Sequence, residues 1–541
     1  MKRYLKTAMI TSIVMLFLLG GATVFLMKSA KTVQKEQEKL VERQLDKKVY
    51  GVEQEDVSDD KIIPLYLDGE NKNVTTFTYE SVKAIYNKEN SKRTAKELER
   101  LKKKNSYNMD NPLWSYNPFG TNELSLYLYF QTVDAYSVEY TVHIKDGETA
   151  DFNRACPGVS GKKEHEYQIV GLVPGKENFI ILKFYDAQGE LKNRKVYSVN
   201  LPEIKGVNSH LMEIDGKSLE QISQGLYFFL GHDWENKKAP RGIWIYDNSG
   251  VLRGAVPTVS GRVLEILELG NELFYNYSMS GLCTVNRLGQ VTETYNLESH
   301  RLSGDFAYDG HGHIVLLTTK KNAKTTGDRI LTLDMKTGKF GKEISLTSII
   351  KGVSKKKNWL KADSLVMMGS NGVLINAAKL SSLIRIQNIF SENPTLAYVI
   401  GPEKVWKKAD VTRLSYADEE ATAEPFKPTG LRLVDDSLAA DRTFRVAFYN
   451  NNKAGKSSSL AEYTINESDG TYYLESSFEL PESVRENSVQ AYRGHWIVNS
   501  AEDCSVSEYD EKGKAILTFK YHISNYTPKV YKKDMKGFWF Q

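Results

Sequence analysis

Four basic side chains draw attention by type and position. Arg262, His300, Lys361 and Lys427 each fall a short, similar distance ahead of a repeated strand–turn–strand element. Basic groups brought to one funnel from successive repeats would make an anion site. His232 in "GHDWEN", beside Asp233 and Glu235, has the composition of an acid–base cluster but no nucleophile near it in sequence. "DGHGH" offers His311 and His313 as a metal-like pair, yet it falls where a turn is expected, and an exposed turn is the better reading. No Gly-rich phosphate loop, HExxH or GxSxG stands in a supporting context. Cys156, Cys283 and Cys504 are odd in number and far apart, which argues against a zinc site and for small buried apolar side chains. No cofactor is expected.

These candidates need a frame to hold them. From Gly242 onward one pattern recurs six times: a strand, a turn carrying Asp or Asn with Gly, and another strand. "GIWIYDNSGVLRGAV", "GLCTVNRLGQVTETY" and "SVSEYDEKGKAILTFKY" are clear copies. Each is preceded by an inner pair of runs that ends in a stretch such as "LYFFLG", "VLINAA" or "HWIVNS". Six four-stranded units that cannot bury their faces singly predict a six-bladed β-propeller over 205–541. Ahead of it, alternating apolar residues in "NELSLYLYFQT" and "HEYQIVGLVPGKENFIILKFYDAQG" predict a small β-sandwich over 110–204.

The beginning of the chain reads differently. Lys2, Arg3 and Lys6 precede an uncharged run from Ala8 to Met27. That is about the 20 residues a helix needs to cross a bilayer, so 1–30 is expected to be an uncleaved membrane anchor. The globular part would then lie on the extracytoplasmic side of the cell membrane. Residues 31–109 read as a helical and irregular stalk and linker, with two short helical stretches within 78–104. The expected architecture is all-β: an anchor helix, a sandwich and a six-bladed propeller. A net charge of +4, with no basic stretch interleaved with aromatics, excludes a nucleic-acid platform.

Taken in order, these segments resemble the bacterial arylsulfotransferases. "NPFGTNELSLYLYFQT" and "GLVPGKEN" are similar to that family's N-terminal sandwich. "NWLKADS" followed by "GVLINAAKLSSLIRI" looks like its Asp-Trp-x-His-x-Asn-Ser segment and Ser-Ser-Arg strand; "VAFYNNN" looks like its Phe-Asp-Asn-Gly strand. The resemblance implies transfer of a sulfuryl group from a phenolic sulfate ester to a phenol through a sulfohistidine, with other histidines and an arginine stabilising charge. Carried over residue by residue, the histidine of the first motif corresponds to Lys361. Asn358 replaces the aspartate and Asp363 the asparagine, while the arginine falls on Ala378, beside Lys379. The nucleophilic histidine falls on Lys427, before Pro428, and His300 is the nearest candidate for a histidine from an early blade. The resemblance thus implies His300, Lys361 and Lys427 at catalytic positions, with Arg262, Asp363, Lys379 and Asn450 at binding positions. Proline cannot attack sulfur, and lysine is protonated near neutral pH unless burial lowers its pKa. Two readings stay open: a sulfotransferase with a reworked site acting on an aryl sulfate, and a non-catalytic, membrane-tethered propeller that binds an anionic small molecule, glycan or protein.

Overall fold

The computed structural model describes residues 54–541 apart from 159–160, 216–221, 233–237, 324–326, 356–357, 418–423, 452–456 and 523–526. The expected anchor, the first part of the stalk, and Asp233 and Glu235 lie outside the described residues. No helix among the described residues is long and apolar enough to cross a membrane.

The propeller has six blades. Blade 2 runs from Ile266–Leu269 to Val291–Asn296, blade 3 from His300–Tyr308 to Ile344–Ser345, and blade 4 from Leu365–Met367 to Thr395–Ile400. Blade 5 runs from Thr429–Asp435 to Thr471–Leu480, and blade 6 from Ser488–Tyr492 to Ala515–Lys520. Blade 1 holds Leu226–Leu230, Gly242–Tyr246 and Leu252–Pro257, and here the expected inner pair is corrected. Its innermost strand is Val530–Lys533, from the far end of the chain, paired antiparallel with Leu226–Leu230. Met212–Asp215 in turn adds to the outer edge of blade 6 against Ala515–Lys520. The ring is therefore closed by strands exchanged at blades 1 and 6, and blade 1 could not complete itself from local sequence alone.

The repeat has a physical cause. In the outer hairpins an Asx side chain caps the turn: Asp247 accepts from the N–H groups of Ser249 and Val251, Asn286 from Leu288 and Gln290, Asp510 from Lys512 and Lys514. A left-handed glycine completes each, at Gly250, Gly289 and Gly513. Second and third strands such as "LYFFL" and "GIWIY" are apolar throughout because adjacent blades cover both faces. The outer strand Thr471–Leu480 instead alternates half-buried and exposed residues along much of its length.

The sandwich turns on one long strand, Ser125–His143. Its first half pairs with Leu113–Tyr116 and Lys162–Val170, its second with Phe152–Ala155 and Glu177–Tyr185. The described part of the expected stalk, 54–109, is built into this body. Ile62–Leu65 adds a parallel strand against Val196–Val199, since its apolar residues pack under the sheet. The helix Lys88–Lys104, capped by Asn87, buries Leu98 against Leu113, Phe119, Tyr127 and Tyr129. Ser91 of the same helix accepts a hydrogen bond from Val291 N of blade 2 at 3.0 Å. The last residues are also pinned, with Trp539 Nε1 donating to Gln168 Oε1 at 3.0 Å. Cys156 and Cys283 are buried as expected, whereas Cys504 is half-buried.

Candidate functional site

Every first strand of the ring begins on one face, here called the upper face. The strands reaching it are tied by asparagines at the ends of second strands. Asn276 accepts from Leu264 N at 2.8 Å and donates to Arg262 O at 3.1 Å. Asn376 accepts from Asp363 N and Ser364 N at 3.0 and 2.9 Å, and also donates to Pro428 O of the next blade at 2.8 Å. Asn450 belongs to this set, its side-chain oxygen taking Phe426 N at 2.7 Å, while Asn451 donates to Lys427 O at 2.6 Å. Its observed contact makes Asn450 a latch.

Below this face the axis is crossed by charge. Arg432 of blade 5 pairs with Glu265 of blade 2, directly opposite in a six-membered ring, and its guanidinium lies 4.1 Å from the ring centre of Tyr531. Lys529, just ahead of the closing strand, pairs with Asp305 of blade 3 and donates to Asp363 O at 3.1 Å. Arg262 pairs with Glu486 at the start of blade 6. Burial pulls the Lys529 ammonium below the usual lysine range, against the attraction of Glu265. Asp363 is pushed well up, first by burial and then by the Glu486 carboxylate, while Gly430 N–H, Asn376 and Lys361 oppose the rise. The hub is thus a mixed network of three cations and four carboxyls, not the purely basic funnel expected from sequence. Unpaired, the buried carboxyls of Glu265, Asp305 and Asp363 would be very costly, so cations had to be brought to them, and the half-buried Glu486 meets Arg262.

The expected site residues divide accordingly. Arg262 and Asp363 do reach the hub. Lys361, Lys379 and Lys427 lie exposed on the upper face around blades 4 and 5, on interlocked loops. Lys379 N donates to Leu360 O at 3.1 Å, and Lys427 N to Ser381 Oγ at 3.2 Å. Asn358, Lys361, Ser381 and Lys427 all have positive φ, between 45° and 53°, an uncommon concentration of left-handed non-glycine residues. Trp359 is core, 2% exposed.

His300 is corrected: it does not face the hub. Its Nε2 is 2.6 Å from Glu343 Oε2, beside Arg329, towards the outer edge of its own blade. The reason is an irregularity between Leu302 and Phe306 that shifts the strand's register. Asp305 N donates to Asp363 O, so Ser303, not His300, comes level with Lys361. His311 and His313 occupy the expected turn, where Asp309 accepts from both backbone N–H groups and from His313 Nδ1.

The residues missed are His232 as a neighbour of Arg262, and Glu486, Arg432 and Lys529. His232 is buried at the upper end of blade 1, its N–H bonded to Gly261 O at 2.7 Å, its ring against the Gly261 Cα. A Cβ on Gly261 would overlap that imidazole, so the residue before Arg262 must be glycine. The recurring asparagines in "NYS", "INAA" and "VNS" were a legible signal for the latches. Lys529 in "YTPKVYKK" had none without the ring closure.

Residues 213–532 match the arylsulfotransferase family, and residues 113–202 match the arylsulfotransferase Ig-like domain. This chain belongs to the arylsulfotransferase family. No curated protein matches it. Among solved structures, this arylsulfotransferase-family protein is similar to a streptogramin B lyase, at 14% identity and a TM-score of 0.33, covering 57% of this chain and 87% of that one. A catalytically inactive virginiamycin B lyase from Staphylococcus aureus with quinupristin gives 14%, 0.34, 58% and 89%. A periplasmic gluconolactonase from Pseudomonas aeruginosa gives 9%, 0.33, 74% and 99%.

Proposed function

We propose that this arylsulfotransferase-family protein takes phenolic sulfate esters on the upper face of its propeller and passes the sulfuryl group to a phenol. The observation that carries the reading is the cluster of Lys361, Lys379 and Lys427 on interlocked loops around Asp363, with Arg262 at the mouth. Fixed positive charge there would hold the sulfate oxygens and stabilise charge as the phenolate leaves. His232, whose ring lies against Gly261 just before Arg262, is the imidazole assigned to the transfer. Lys427, exposed at the mouth, is assigned to holding the sulfate and not to the transfer.

A second reading, binding without transfer, is favoured by the lysines at the two positions where the family carries histidine. Para-nitrophenyl sulfate with excess phenol separates the two. Turnover that disappears in His232→Ala and survives in Lys427→Ala supports transfer through the imidazole. Saturable binding without turnover, weakened in Lys361→Ala, supports the binding reading. Neither turnover nor binding defeats both. Anchoring through Ala8–Met27 on the extracytoplasmic side is part of the proposal, and release of the full chain by alkaline carbonate would count against it.

A further inference from the structure

Among the described residues, six exposed lysines gather in one sector around the same mouth. Lys351 precedes blade 4, Lys361 enters it, Lys404, Lys407 and Lys408 lie on the turn that leaves it, and Lys427 enters blade 5. All six side chains are exposed. Three contacts lock their segments together. Gly352 is pressed against the carbonyl of Lys408, Trp406 Nε1 donates to Ser382 Oγ at 2.9 Å, and Lys427 N donates to the neighbouring Ser381. Trp359, Leu360, Val353, Trp406 and Ala409 share one core beneath the sector, so the lysines ride on a rigid base.

None of the six takes part in an ion pair among the described residues, whereas Lys342, Lys520 and Lys533 elsewhere do. Among the described residues their exposed acidic neighbours in sequence are Glu403, Asp410 and Glu424, the last facing Arg413. Six like charges held close on a packed base repel one another, an arrangement that a ligand of opposite charge would relieve.

We propose that this sector binds a sulfated polysaccharide, whose repeating sulfate groups run from the mouth across Lys361 and Lys427 to Lys351 and Lys404–Lys408. The inference extends the sulfate-ester reading and rests on it for the choice of sulfate. Lysine ammoniums act as point charges without bidentate geometry, which suits a flexible chain of evenly spaced anions. Two other polyanions fit less well. The tryptophans of the sector are buried, at 2% and 4%, so they cannot stack exposed bases of a nucleic acid. The large exposed apolar residues, such as Tyr66, Val133, Leu191 and Phe390, lie outside the sector, so nothing there would insert into a bilayer.

The test measures binding of the full chain to sulfated dextran, to polyphosphate and to phosphatidylserine vesicles over a salt series, with para-nitrophenyl sulfate binding followed in parallel. Lys351→Gln, Lys404→Gln, Lys407→Gln and Lys408→Gln are combined in one variant; Lys92→Gln with Lys96→Gln on the helix Lys88–Lys104 is the control. Sulfated dextran should bind most tightly. The fourfold variant should weaken it at least about tenfold and flatten the log–log salt slope by about one unit per lysine, with the control and the small ester unaffected. Unchanged affinity in the fourfold variant, tighter binding of polyphosphate or vesicles, or no saturable binding to sulfated dextran overturns the proposal. Binding of sulfated dextran without the small ester would leave the sector standing and bring down the ester site alone.

Discussion

Replacing Glu508 by glutamine should open the seam at which the propeller ring closes. This carboxylate, in the third strand of blade 6, faces the inner strand of blade 1. It takes Ser223 N, Ser223 Oγ and His495 Nδ1 on one oxygen, at 2.8, 2.7 and 2.6 Å. The other oxygen takes Tyr227 OH at 2.7 Å and Lys532 Nζ at 2.6 Å. Burial alone would raise its pKa, but Lys532 and the hydrogen-bond donors outweigh that and hold it at about 2, against an ordinary 4.5. A carboxyl with a depressed folded pKa stabilises the fold above its unfolded pKa and loses that contribution as pH falls towards the folded value. The shift corresponds to about 3 kcal/mol at neutral pH. For a cooperative unit the size of residues 213–532, with unfolding entropy of about 2.1 cal/mol/K per residue, this is about 5 °C in Tm. Thermal unfolding of the parent and Glu508→Gln, followed by calorimetry across pH, should show the full gap near neutrality. At about pH 3 the gap should have shrunk to about 1.4 kcal/mol. A gap that is independent of pH, or below about 1 kcal/mol at neutrality, would refute the argument that charge pairing at this carboxylate holds the seam.

Other substitutions probe the upper face. His300→Ala should leave para-nitrophenyl sulfate binding unchanged within about twofold, because the ring faces Glu343; a larger loss would return it to the site. Arg262→Ala should weaken ester binding by about tenfold or more, since it removes a cation at the mouth and strands Glu486, as titration calorimetry would show. Gly304→Ala would put a Cβ 2.9 Å from both the Asp363 carbonyl oxygen and Leu317 Cδ1, costing about 1–3 kcal/mol in a denaturant titration. Asn376→Ala leaves the buried N–H groups of Asp363 and Ser364 without their acceptor, costing about 1–3 kcal/mol in the same measurement and loosening both lysine-bearing loops.

The candidate site was partly legible. The positions of Arg262, Lys361 and Lys427 near the upper face could be read because they sit at fixed offsets in a repeat whose period is written in its Asx–Gly turns, whereas Asp363 and Lys379 were named only through the family resemblance. The offset failed for His300, where one irregularity in a strand displaces the register by more than an alignment by eye can detect. The carboxyl half of the hub was not legible at all. Glu265, Asp305 and Glu486 look like ordinary surface acids in sequence, and only their meeting with Arg432, Lys529 and Arg262 gives them meaning.

What the chain encodes locally is therefore the blade: alternation, apolar inner runs and capped turns, all set by neighbours a few residues apart. Tertiary structure decided which strand completes blade 1, which way each charged side chain points, and what neutralises it. Arg432 and Glu265 are 167 residues apart along the chain. Hydrophobic periodicity is a short-range signal, whereas charge pairing across an axis exists only once six blades have closed around it.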